Sequence, residues 1–228
     1  MSDILRILRC FDALFYAFLA LVFFLTYDIY TEAIITNRPS IFMSLPVLGV
    51  ALATLALPSG YQWPRAAFNN LCSLKILALI TAGLTPFIVW HVQGTDSVYL
   101  TIGAGLAFVA ACLYLITLLR LLENLFRRRS YAMLIRLTRL LRSVTGFALL
   151  TPIATVYIFV ISDMVENRSI PVDVFYRFWV SLPPGLRIAI PVFLAVYACL
   201  LLFMLGKVKA NVLLLLGQDQ AIERKDEN

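Results

Sequence analysis

Six apolar runs of 17 to 21 residues, each closed by turn-forming residues, constrain this chain more than any other feature. They are Phe11–Tyr27, Ile41–Leu57, Ile76–Val92, Tyr99–Leu119, Val144–Ser162 and Ile188–Gly206. A bilayer core of about 30 Å takes roughly 20 apolar residues of helix, and about 17 can suffice. The breaks between runs carry turn chemistry: Asn37-Arg38-Pro39-Ser40, Pro58-Ser59-Gly60, Gln93-Gly94-Thr95-Asp96 and Pro183-Pro184-Gly185. No polar alternation marks a barrel strand, so the element is the helix. The fold expected is all-α: a polytopic membrane helix bundle forming one domain over residues 1–228, with a polar, frayed cytoplasmic tail at 218–228.

Composition agrees. Of 228 residues, 61% are hydrophobic and 14% charged, against about 25% charged in soluble domains. That balance excludes a large soluble catalytic domain. The second run is the weakest, being short and holding Pro46, which suggests a tilted or re-entrant segment. Pro86, Pro152 and Pro191 inside later runs suggest kinks.

Lysine and arginine distribution sets orientation. With the N-terminus inside, only Arg38, Arg168, Arg177 and Arg187 fall outside, and the other 15 of 19 basic residues fall inside. Both termini are therefore expected in the cytoplasm, most naturally at a bacterial inner membrane. The net charge of +6 then reflects insertion and contact with anionic lipid, and no nucleic-acid partner is expected. Arg6 and Arg9 before the first run fit an uncleaved signal anchor better than a cleaved leader, because Tyr27, Asp28 and Tyr30 are poor cleavage neighbours. None of the four cysteines falls in an outside loop, so no disulfide framework is expected.

The stretch Arg120–Arg142 is the most distinctive. On a helical wheel, Arg129, Arg136, Arg139 and Arg142 share one arc, and Met133, Leu134, Leu137, Leu140 and Leu141 take the other. Such an amphipathic basic helix suits the membrane interface, and it is expected as a separate cytoplasmic element between spans four and five. Glu123 and Arg127 are spaced to pair, at a boundary where such a pair contributes little. The four arginines are thus candidates for lipid or partner contact, although topology alone also accounts for them. The general form, a long helix, a basic loop and then a helix starting Leu141-Arg142-Ser143-Val144, resembles small bacterial inner-membrane proteins over about forty residues, without a specific motif, and implies no activity.

Chemistry-bearing residues are sparse. No ionisable residue occupies a span centre, which argues against a proton-coupled pump. Asp12 can pair with Arg9 or Lys75 at the inner rim. His91 is the only histidine and sits beside Trp90, where aromatic-belt residues belong. No catalytic residue, metal site or cofactor is assigned. Gly103, Ala107 and Ala111 form a small-residue stripe suited to close helix packing, within the chain or against another subunit. Thr-Pro recurs at Thr85-Pro86 and Thr151-Pro152, a weak hint of internal repetition. An interfacial helix over Val172–Leu182 and a sequon at Asn167 complete the outer features.

Three functions are expected on these grounds. The first is a non-enzymatic subunit, scaffold or accessory factor, with homo- or hetero-oligomeric membrane partners. The second is a transporter or channel, for which a cavity lined by Thr85, Thr151 and Tyr157 would speak. The third is a lipid-modifying enzyme, for which a polar pocket near Asp12, Lys75 and Arg142 would speak. A solid bundle with an exposed small-residue face would favour the subunit.

Overall fold

The computed structural model describes residues 2–30, 44–59, 65–93, 97–127, 131–167 and 180–226, and these are almost wholly helical, without strands. The elements are α1 (Ser2–Tyr30), α2 (Ser44–Leu55), α3 (Arg65–Gln93), α4 (Val98–Arg127), α5 (Ala132–Val144), a π-helical segment (Thr145–Leu150), α6 (Thr151–Asn167) and α7 (Pro184–Asp226). Five stretches are long and apolar enough to cross a membrane: those of α1, α3, α4, the continuous α5–π–α6 rod, and α7.

Local chemistry explains the ends. Ser97 Oγ accepts the backbone N–H of Leu100 and caps α4. Pro184 opens α7 at the position where a missing N–H costs nothing. Pro46 sits in the first turn of α2, so it does not break that helix. At 12 residues, α2 is about 18 Å long and falls short of a full crossing.

Two expectations about element bounds change, and a third lies outside the described residues. The basic stretch is not a separate in-plane helix: α5 runs on through Val144 and Thr145, both in right-handed helical geometry, into the π segment and α6. α7 continues past residue 218 as helix through Asp226. The interfacial helix expected over 172–182 lies outside the described residues except at its end, and so do Arg168 and Ser169 of the sequon.

The two Thr-Pro steps are handled differently. In α3, Thr85 Oγ1 donates to Thr81 O at 2.8 Å and the helix stays regular around Pro86. At Pro152 the ring denies a donor to the turn before it, and that turn widens into the π segment. Thr151 Oγ1 donates to Gly146 O at 3.1 Å, one residue further back than the α pattern. The repeat suggested by the dipeptides therefore has no local structural counterpart.

α1 packs on α2 and α7, α2 on α3, α3 on α4, and α4 on α5 and α6. The main core gathers at one end. It joins Phe11 and Leu14 of α1, Leu71 and Leu74 of α3, Leu118 to Phe126 of α4, Leu141 of α5, and Leu201 to Val208 of α7. Among the described residues, a second and smaller cluster forms around Val160 and Met164. Large apolar side chains cover the outside, as with Phe147 at 81% and Ile158 at 69% exposure. Such a surface is suited to a hydrocarbon solvent rather than to water.

Candidate functional site

The most concentrated polar chemistry is built at the packed end, where α5 folds back along α4. Glu123 lies between Leu122 and Phe126, both at most 1% exposed, and its own side chain is 5% exposed. A carboxylate in that position must find charged donors or lose its charge. It finds three. Arg127, one turn on along α4, donates from Nη2 to Oε1 at 2.7 Å. Arg139 Nε donates to the same oxygen at 2.8 Å, and Arg142 Nη1 donates to Oε2 at 2.8 Å. Arg139 and Arg142 are three residues apart, so α5 presents both on one face toward α4.

Both carboxylate oxygens are occupied, so Glu123 organises cations and is not poised as a base. One negative charge among three guanidiniums leaves the cluster at +2. Arg127 and Arg139 remain about half exposed, and Arg142 a third exposed. The cations are thus fixed at their inner edge and open at their outer edge.

Of the four arginines singled out from sequence, the structure brings Arg139 and Arg142 together on Glu123. Arg136 stays exposed on α5, and Arg129 lies outside the described residues. The arc of α5 divides accordingly. Thr138, Leu141 and Thr145 face inward, while Met133, Leu140 and Phe147, spaced by seven, remain outward-facing and apolar. Sequence reasoning missed Glu123 as a hub. The available signal was a lone acid flanked by Leu119, Leu122 and Phe126 at helical spacing.

The small-residue stripe is internal where it can be judged. Gly103 and Ala107 are buried, and Ala111 is half-buried. A Cβ at Gly103 would lie 2.5 Å from Phe87 Cδ1, so α3 approaches α4 as closely as a glycine permits. Gly105 serves Tyr157 of α6 in the same way, at 2.9 Å.

Two buried Thr–Tyr bonds tie helices that are distant in sequence. Thr54 Oγ1 donates to Val50 O, so it accepts from Tyr114 OH at 2.7 Å. Thr145 Oγ1 donates to Leu141 O and accepts from Tyr197 OH at 2.6 Å. Asp12 pairs with Lys209 of α7, not with Arg9 or Lys75. Lys75 donates to Ser59 Oγ at 2.9 Å.

Thr85 and Thr151 spend their hydroxyls on their own helices. Asp12, Lys75 and Arg142 have three different partners. At the opposite end of α3 and α4, Phe87 stacks edge-on with Trp90 and Tyr99, with centroids 5.9 and 5.6 Å apart. His91 follows Trp90 in α3.

Comparison with protein-family models, with curated proteins and with solved structures finds no match.

Proposed function

We propose that this chain is a non-enzymatic subunit or accessory factor of a membrane assembly. It resides in a bacterial inner membrane with both termini in the cytoplasm. The observation that carries the reading is the uneven packing of α7. From Tyr197 onward it buries Leu201, Met204, Leu205 and Val208. Between Val180 and Val196, none of the residues whose burial is defined is buried. On α6 only Val160 and Met164 are buried. These outer halves are apolar helix faces that the described residues leave unpacked, and other transmembrane helices are their partners.

Core geometry supports the orientation. The first halves of α1 and α3 share the main core with the last parts of α4 and α7. The chain therefore returns between residues 30 and 65, whatever depth α2 reaches. α1, α3 and the α5–π–α6 rod then run one way and α4 and α7 the other, which puts the start of α1 and the end of α7 on one side. Arg6, Arg9, Arg120, Arg127, Arg136 and Lys207 are all at that end, which the distribution of basic residues assigns to the cytoplasm. Phe87, Trp90 and Tyr99 then belong to the outer aromatic belt.

The test places photo-crosslinking residues at Val192 and Val196 in native membranes. Discrete protein adducts are expected at both. Adducts to lipid alone would overturn the subunit reading. Cysteine probes at Ser130 and Thr95 check the orientation, with labelling expected from the cytoplasmic and outer sides respectively.

A further inference from the structure

We infer that the cluster on Glu123 binds the phosphate monoester headgroup of an anionic lipid. The inference rests on the cytoplasmic-face placement above and adds a ligand class to it.

Charge selects the class. Three guanidiniums on one carboxylate leave +2, and a phosphate monoester near neutral pH carries about −1.5 to −2. A diester headgroup carries a single negative charge and neutralises half of the cluster. Geometry adds to this. Each guanidinium has five N–H donors in a planar fork, and one from each is committed to Glu123. Arg127 and Arg139 share Oε1, which holds their half-exposed heads side by side. Arginines fixed in advance lose less rotamer freedom on binding than free surface arginines do. The buried carboxylate is thus a positioning group that holds like charges together for an anion.

The surroundings select a lipid over a soluble phosphate. Met133, Leu140 and Phe147 form an outward apolar stripe on the helix that carries Arg139 and Arg142, and they are 80%, 57% and 81% exposed. Met133 precedes the arginines on this rod, Leu140 is level with Arg139, and Phe147 lies beyond Arg142 toward the membrane interior. A headgroup on the cluster therefore has the exposed apolar surface of Leu140 and Phe147 beside it for its acyl chains.

The test uses the full-length protein in nanodiscs of phosphatidylcholine with equal small fractions of phosphatidic acid and phosphatidylglycerol. Lipid retained after transfer to mild detergent is read by native mass spectrometry. The wild type should keep phosphatidic acid over phosphatidylglycerol. Arg139→Gln should cut retention about fivefold, the Boltzmann factor of one basic residue's attraction to an anionic surface. Arg139→Lys keeps the charge but not the fork, and it should lose part of the preference. Arg6→Gln, an exposed arginine at the same end but outside the cluster, should change nothing. Lowering the pH from about 8 to about 5 removes one phosphate charge and should shrink the preference, because the second phosphate pKa is near 6.

Equal retention of the two lipids, or equal losses in Arg139→Gln and Arg6→Gln, would overturn the inference. Full competition by glycerol phosphate at matched concentration would overturn the lipid assignment in favour of a soluble phosphate. Cysteine labelling at Ser130 separates the two levels. Correct labelling without lipid preference defeats this inference alone, whereas labelling from outside defeats the orientation beneath it.

Discussion

Replacing Gly103 by alanine adds one methyl group where α4 meets α3. Its carbon would lie 2.5 Å from Phe87 Cδ1, 2.7 Å from Cγ and 3.0 Å from Cβ. Carbon atoms prefer about 3.5–4.0 Å. The overlap includes the root of the side chain, so rotating the phenyl ring does not relieve it. The ring must swing away or the helices must part, and the first route disrupts the edge-on contacts with Trp90 and Tyr99. Overpacking of this kind costs about 1–3 kcal/mol. Alanine also favours the helix over glycine by about 1 kcal/mol. Gly83→Ala separates the two effects, because a Cβ at Gly83 meets nothing within 4 Å. Propensity cancels between the variants, so Gly103→Ala should be less stable than Gly83→Ala by the full overpacking cost of about 1–3 kcal/mol. Gly105→Ala should fall between, since its nearest contact is 2.9 Å from the Tyr157 ring. The assay is unfolding in mixed micelles titrated with a denaturing detergent, followed by circular dichroism. A Gly103→Ala protein as stable as Gly83→Ala would refute the close approach of α3 and α4.

Double-mutant cycles on Glu123 should find a coupling of about 1–2 kcal/mol with Arg142 and under about 0.5 kcal/mol with Arg127, whose head is more exposed to screening. Equal couplings would show that burial does not grade the three contacts. Thr145→Val should cost more than Tyr197→Phe in the same unfolding assay. The first leaves the buried Tyr197 hydroxyl without its acceptor, and the second leaves Thr145 still bonded to Leu141 O. The double variant should cost less than the sum, and additivity within about 0.5 kcal/mol would remove the bond from the account.

Local features were legible in the sequence, and pairings across distance were not. Apolar runs and their breakers mark the helices because hydropathy and turn chemistry act over a few residues. The pairing of Glu123 with Arg127 was readable for the same reason. Arg139 and Arg142 lie 16 and 19 residues beyond Glu123, and which face of α5 meets α4 depends on packing. The wheel placed the arginines on one arc but could not say that half of that arc turns inward. The continuity of α5 with α6 was hidden by the change from basic to apolar residues, which reads as a boundary although the backbone hydrogen bonding continues. Gly103 was visible as part of a stripe, but Phe87 as its occupant was not. Thr54–Tyr114 and Thr145–Tyr197 join residues 60 and 52 positions apart, with no local trace.

The π segment has a consequence for the phase of the rod that contains it. An α-helix advances about 100° per residue. A π turn spends an additional residue on its circuit, so α6 is set back by about one residue's rotation relative to α5. Thr145 at the start of the segment is aimed at Tyr197, while Tyr157 beyond it is seated on Gly105. The two faces are thus set independently, although no loop separates them. Deleting one residue between Gly146 and Leu150 would restore α periodicity and keep Tyr157 on its glycine, whereas a segment of unchanged length forced into α geometry would turn Tyr157 about 100° off Gly105, with Arg139 and Arg142 left where they are in both cases.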